Sequence, residues 1–341
     1  VRKFTLLLVV LASAVAGLTV WRRPRVSRSA LEGPRSTLEA PRSPLDVPRF
    51  AFRVSFEADA PSFLDEGRLL LVRARHAPRA CTFSLETGER VSDFQTPGAD
   101  WGAYGALHDD TVAFDDGHEL VLVSGRTGQA RGRIPAHERN PAPAFAADAD
   151  LIGIASREGV SIYSTSDGSL RAKLAWPTVP SLPHDPDMNH TCALSPSGRV
   201  LAALVEGASC CVLATRDGSV AAVVSAQHAQ FLTEDEILAS PPRIVGQVLD
   251  VQVLAARDGH VLRSFRLSPD QMLVGGMRTL EFLPYQADDV PVEIRIRSLE
   301  TGAILCRFQA SSRSHVTLSP RGDRVASTFP DGRVEVRDVP P

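Results

Sequence analysis

From residue 50 onward, apolar residues alternate with polar ones in short runs, and each run stops at a cluster of Gly, Asp, Ser or Thr. The stretch 192–224 is the clearest. Residues 192–194 lead to the turn Ser195-Pro196-Ser197-Gly198, 200–205 to Glu206-Gly207, and 210–214 to Asp217-Gly218, after which 219–224 follow. Period-two alternation, β-branched residues and turn residues at the breaks predict four short antiparallel strands. Residues 151–155, 160–163 and 169–174 parse in the same way.

One turn signature returns at a nearly fixed interval. It reads Leu85-Glu86-Thr87-Gly88, Gly125-Arg126-Thr127-Gly128, Thr165-Ser166-Asp167-Gly168, Thr215-Arg216-Asp217-Gly218, Ala256-Arg257-Asp258-Gly259 and Leu299-Glu300-Thr301-Gly302. From glycine to glycine the steps are 40, 40, 50, 41 and 43 residues. A repeat of that length made of strands and turns predicts a β-propeller, each unit being one blade with this turn between its third and fourth strands. A last unit starts at His315 and stops after its third strand. The alternating run 50–56 (FAFRVSF) is the expected donor of the missing fourth, closing the ring and removing an open sheet edge. The expected fold class is all-β: a seven-bladed β-propeller of four-stranded antiparallel blades of about 42 residues each, preceded by one hydrophobic N-terminal helix and a linker.

The run SPRGDRVASTFPDGRVEVRD (319–338) resembles a WD repeat, with its Ser-Pro turn, apolar strand, Asp-Gly turn and final strand ending in Trp-Asp. The turn at 195–198 and the run 231–240 are similar. Arg337, followed by Asp338, stands where that family has Trp. His190, His228 and His315 precede first strands, where the family often places a histidine in an internal hydrogen-bond network, and a structural role is expected for them. The Leu-Glu-Thr-Gly turns also resemble repeats of quinone-type (PQQ-like) propellers. The strands after them, 89–94 and 303–308, lack Trp at the matching position, so the likeness implies no quinone site.

The front end differs in kind. Residues 4–21 contain no charge and follow Arg2 and Lys3. Eighteen helical residues span about 27 Å, enough to cross a hydrocarbon core. The stretch fits a signal peptide cleaved at Ala12-Ser13-Ala14 or Ala14-Val15-Ala16, and it fits a signal anchor. The apolar run continues past both triplets, which favours a retained transmembrane helix over 1–21. Arg22, Arg23, Arg25 and Arg28 pull the following chain to the cytoplasmic side, whereas an export signal would put it outside. Both orientations stay open. In 22–49, Leu, Pro and Arg each recur every seven residues (Leu31, Leu38, Leu45; Pro34, Pro41, Pro48; Arg35, Arg42, Arg49). A proline in every period forbids a coiled coil, so an extended linker reaching up to roughly 85 Å is expected. The chain thus divides into 1–21, 22–49 and a propeller over 50–341.

Charge narrows the choice of partner. Residues 1–50 carry nine basic and three acidic groups, and the remaining chain 28 basic and 37 acidic. A propeller with that acidic excess lacks the basic face that nucleic acid requires. Five cysteines, Cys81, Cys192, Cys210, Cys211 and Cys306, show no metal-ligand spacing and read as buried small hydrophobes. His184, Asp185, Asp187 and His190 bring two imidazoles and two carboxylates within seven residues, a set able to ligate a metal, although Pro183 and Pro186 make a solvated loop the simpler reading. His108-Asp109-Asp110 and Asp115-Asp116-Gly117-His118 flank one short strand and read as hairpin turns. No nucleophile elbow, phosphate loop or calcium loop is present, so no catalytic or cofactor-binding residue is assigned and no cofactor is expected. The expected function is a membrane-tethered, non-enzymatic interaction scaffold that binds a protein or peptide on one face, with contacts from the segments 177–190, 241–247 and 284–291. The alternative is a propeller enzyme, quinone-dependent or a metal-assisted hydrolase working through 184–190.

Overall fold

The structure is a computed structural model. It describes residues 48–97, 103–105, 108–135, 143–156, 158–175, 190–205, 210–215, 217–226, 228–240, 248–268, 271–274, 277–282, 292–310 and 314–341. The expected helix over 1–21, nearly all of the linker, and the loops 177–189, 241–247 and 284–291 lie outside them.

Twenty-eight strands account for almost all regular structure. Strand β1 (Phe50–Arg53) is followed by six consecutive quartets. The first is β2 (Ser62–Leu64), β3 (Leu69–Arg73), β4 (Arg79–Ser84) and β5 (Arg90–Gln95); the second is β6 (Ala103–Gly105), β7 (Thr111–Asp115), β8 (Glu119–Ser124) and β9 (Ala130–Pro135). The third is β10 (Ala144–Phe145), β11 (Ile152–Ser156), β12 (Gly159–Tyr163) and β13 (Leu170–Ala175). The fourth is β14 (His190–Leu194), β15 (Val200–Val205), β16 (Cys210–Thr215) and β17 (Val220–Ser225). The fifth is β18 (His228–Phe231), β19 (Glu236–Ser240), β20 (Leu249–Ala255) and β21 (Val261–Leu267), and the sixth β22 (Gln271–Val274), β23 (Arg278–Phe282), β24 (Val292–Ser298) and β25 (Ile304–Ala310). Strands β26 (His315–Leu318), β27 (Arg324–Thr328) and β28 (Arg333–Asp338) end the chain. Each quartet forms one antiparallel sheet in sequence order, and the last three strands form a sheet with β1 in the order β1-β28-β27-β26.

The expectation of seven blades is corrected here. Six blades are each one continuous run of four strands, and the remaining sheet is a composite closure of three C-terminal strands and one N-terminal strand. The reason lies in the turn: the connection from third to fourth strand, which carries the recurring glycine, occurs six times, because the closing sheet has no such connection. The donor strand is also shorter than the alternating run 50–56, since pairing with β28 covers only Phe50–Arg53. The described residues contain no α-helix; their one helical element is the 3-10 turn Asp65–Gly67.

The recurring turn has one construction. The glycine amide donates to the carbonyl of the residue four earlier, at 3.0 Å for Gly88 to Ser84, 2.7 Å for Gly128 to Ser124 and 2.9 Å for Gly302 to Ser298. The glycine itself sits at positive φ (+76° at Gly88), which L side chains adopt only at a cost. In all six blades the ladder slips by one residue just before the turn, for example at Thr82/Phe83, Ile162/Tyr163 and Ile296/Arg297. This bulge adds twist between the outer strands, which radial stacking requires.

The core lies between sheets. Phe52, Val334 and Val336 of the closing sheet pack on Leu70, Val72, Cys81 and Phe83 of the first blade. Leu64 and Leu71 pack on Val112 and Phe114 of the second, and Leu120 and Leu122 on Ile152 and Ile154 of the third. The series continues through the third and fourth, fourth and fifth, and fifth and sixth blades. It returns to its start where Ile294, Ile296 and Phe308 meet Val325 and Phe329.

Candidate interaction site at the mouth of the ring

Turns from first to second and from third to fourth strands come together at one end of the ring. There a cavity of about 810 Å³ is lined by Phe63 and Glu66, Asp148, Pro196, Phe231 and Leu232, Glu236, Arg263, Met277, Leu318 and Arg321. Apolar side chains from several blades form its wall, and two acid–arginine pairs stand at its rim. Arg321 Nη2 lies 2.9 Å from Glu66 Oε2. Arg263 bridges Glu236 at 2.7 Å and Glu300 of the next blade at 2.9 Å. Asp148 is exposed and forms no ion pair among the described residues.

Polar contacts between neighbouring blades hold this rim. Arg126 of the second blade reaches Asp65 of the first at 2.6 Å. The Asp148 amide donates to the Pro196 carbonyl at 2.8 Å, joining the third and fourth. Glu234 of the fifth accepts from the Ser195 hydroxyl (2.9 Å) and from the Ser197 amide (3.0 Å) and hydroxyl (2.7 Å) of the fourth. Arg324 of the closing sheet donates to the Gly67 carbonyl at 2.8 Å. Between the second and third blades the contact is steric: a Cβ at Gly132 would stand 2.4 Å from the Asp167 carbonyl group, so only glycine lets that turn approach.

Within blades, an aspartate ahead of the second strand binds a serine at or just after the end of the third. Asp110 accepts from the Ser124 hydroxyl at 2.6 Å and the Arg126 amide at 2.9 Å, and it pairs with Arg131. Asp150 accepts from Ser164 at 2.8 Å and from Thr165. Burial pushes both carboxyls up, but their hydrogen bonds, joined by Arg131 at Asp110, outweigh it and hold them below the usual range. The same balance, set by Ser197 and Ser195, lowers Glu234.

The sequence-nominated residues divide clearly. His184, Asp185 and Asp187 lie outside the described residues; His190 opens β14, and its side chain is not described. Among the described residues no three His, Cys, Asp or Glu side chains gather as a metal would need. His228 is exposed at the start of β18, whereas His315 opens β26 with Nε2 3.7 Å from Asp59 Oδ1. Asp109 and Asp110 flank β7 as expected, with Arg131 bridging them. Asp116 accepts from the His118 and Glu119 amides at 3.0 and 2.8 Å, as a hairpin turn should. Arg337, at the family's tryptophan position, is buried; its guanidinium carbon lies 4.7 Å from the Phe308 ring centroid and it pairs with Glu335. Cys81 and Cys192 are free thiols, and Cys306 is buried in the core between the sixth blade and the closing sheet. The mouth itself had only the Ser-Pro turns at 195 and 319 as a sequence signal, because its other walls come from turns of dissimilar sequence.

No protein-family model matches the chain, and no curated protein matches it. Solved structures do resemble it. The β-propeller domain of Cps50 (Swd1) from Myceliophteria thermophila aligns with a TM-score of 0.61 at 12% identity, over 86% of this chain and 100% of that one. The Pan2 WD40 domain of Neurospora crassa gives 0.56 at 12% identity, over 86% and 95%. U3-55K gives 0.56 at 10%, over 84% and 96%. The chain has the fold of a WD40 β-propeller domain.

Proposed function

We propose that the propeller is a non-enzymatic docking scaffold whose working face is the mouth described above, held near a membrane by residues 4–21. The observation that carries this reading is the cavity of about 810 Å³, apolar in its walls and charged at its rim, framed by turns that are bonded from blade to blade. A rigid concave site of that size takes a side chain and its flanking backbone without reorganising, which limits the entropic cost of binding. Exposed Asp148 adds a preference for a cation beside the apolar anchor, so a peptide segment pairing an apolar residue with Lys or Arg suits the site. The described residues include no helix long and apolar enough to cross a membrane, and the tether rests on the apolar run 4–21 alone.

Crosslinking-based recovery of partners from cells tests this with the full chain, its Phe231→Glu variant and an outer-strand control, Arg307→Glu. The reading predicts that Phe231→Glu loses a specific partner that the control retains. An identical partner set for all three would overturn it. The tether is tested by alkaline extraction of membranes, where release of the intact, uncleaved chain would refute it.

A further inference from the structure

Among the described residues, every blade leaves one strand edge unpaired at the circumference: β5, β9, β13, β17, β21, β25 and, in the closing sheet, β1. Such edges offer free amides and carbonyls to any other strand, and charged side chains are the usual protection. Six of these strands carry at least one: Arg90 and Asp93, Arg131 and Arg133, Arg171 and Lys173, Arg263 and Arg266, Arg307, and Arg53. Strand β17 carries none, and no charge occurs between Gly218 and Ala226.

The bulge before each outer strand sets a common register, so the strands can be compared residue by residue. Ala222 pairs with Leu213 as Ala172 pairs with Ile162 and Ser92 with Thr82. The next residue outward is Asp93, Arg133, Lys173, Ser264 or Arg307 in the other blades, and Val223 in the fourth. Val223 is 45% exposed and Val220 44%. Ala221, Ala222 and Val224 face the core between the fourth and fifth blades, so the strand is anchored on one side and bare along its edge.

We infer that the β17 edge is where a second copy of this chain pairs, antiparallel across a two-fold axis, to join two fourth blades into one continuous sheet. Self-pairing sets a strand against itself, so a charged residue near the middle meets its own kind. That penalty falls on the outer strands with a central Arg or Lys and is absent at β17. An axis at Ala222 sets Ser219 against Ser225 and Val220 against Val224, with no like charges in register. A single strand pair buries less than a standard interface, so the dimer is a weak and reversible one.

The test uses the full chain in detergent micelles, followed by sedimentation equilibrium and concentration-dependent hydrogen exchange. The expected result is a reversible shift to twice the 36.7 kDa of one chain, with amides in 220–225 slowing as concentration rises. Val223→Lys should weaken association at least about tenfold, as should Val220→Lys, while Leu170→Lys at the matching site of the third blade leaves it unchanged. Circular dichroism confirms that each variant keeps its strands, with Val220→Lys standing in should Val223→Lys misfold. A wild-type chain that stays monomeric to about 200 µM overturns the inference, as does a dimer that survives both valine substitutions. Protection of 220–225 that appears only on adding another protein or lipid vesicles also overturns it.

Discussion

Arg49 donates to both carboxylate oxygens of Asp338, at 3.1 and 3.2 Å, across 289 residues of chain. The pair marks where the two ends meet, reaching diagonally past the register of Phe50 with Val336. Both side chains are about half exposed, so the ion pair is screened and worth little. The closure is held instead by Phe52, whose ring stacks on Phe83 at 4.4 Å within the core shared with the first blade.

Arg49→Ala should therefore cost less than about 1 kcal/mol. Phe52→Ala should cost about 3–5 kcal/mol. Urea denaturation of the two variants compares them directly, and similar losses would show that the ion pair, not the aromatic stack, carries the closure.

Gly132 and Gly302 separate two uses of glycine. At Gly302, φ is +69° and no atom lies within 4 Å of the point a Cβ would occupy, so Gly302→Ala meets only backbone strain of about 1–2 kcal/mol. Gly132→Ala drives a methyl into the Asp167 carbonyl group and must push two blades apart, at about 2–4 kcal/mol. Thermal unfolding should show the larger drop in Tm for Gly132→Ala.

Asp110, Asp150 and Glu234 all titrate below their ordinary values in the folded chain. A carboxyl whose folded pKa is depressed contributes stability above its unfolded pKa, near 4, and loses it as pH falls through the folded value. Stability should decline below about pH 4, and Asp110→Asn should flatten that decline while lowering stability at pH 7. A set of Tm measurements from pH 7 to pH 3 reads both effects; parallel curves for wild type and variant would contradict the assignment.

Arg337 holds a buried position where two of its nitrogens, Nε and Nη1, have no hydrogen-bond partner. Truncation to Ala removes the contact with Phe308 and leaves buried Glu335 with Arg333 alone, at about 2–4 kcal/mol. Arg337→Met keeps the packing without the buried cation and should fall well short of that loss. Denaturation midpoints of the two variants decide the matter.

Burial pushes the Cys81 thiol up to about 12, with the Asp93 charge adding to the effect, and burial alone does the same for Cys192. Both should resist alkylation at pH 8 in the folded protein and react on unfolding, since the thiolate is the nucleophile. Peptide mapping after timed iodoacetamide exposure checks each site, and rapid labelling of either in the native chain would show the blades opening there.

The strands, the six glycine turns and the identity of the closing partner were legible because each rests on local chemistry. Positive φ at Gly88 or Gly302, alternation in 200–205 and an unpaired alternating run at 50–56 can be read without knowing what packs on them. The blade count was less secure, because one sheet draws on both chain ends and lacks the turn that marks the rest. The mouth was hardly legible. Glu66, Phe231, Arg263 and Arg321 come from separate turns and strands around the ring, and nothing in their spacing tells that they face one cavity. Arg131 was overlooked because an arginine on an outer strand looks solvated until Asp109 and Asp110 are seen beside it.

By itself the amino-acid order determined a ring of four-stranded sheets, since a forty-residue period of strands and tight turns has few ways to bury one apolar face per strand except by stacking on the next copy. Tertiary structure alone decided which turns converge, which carboxylates are paired and which outer edge is left bare. Those outcomes depend on contacts between residues tens to hundreds of positions apart, and sequence periodicity carries no record of them.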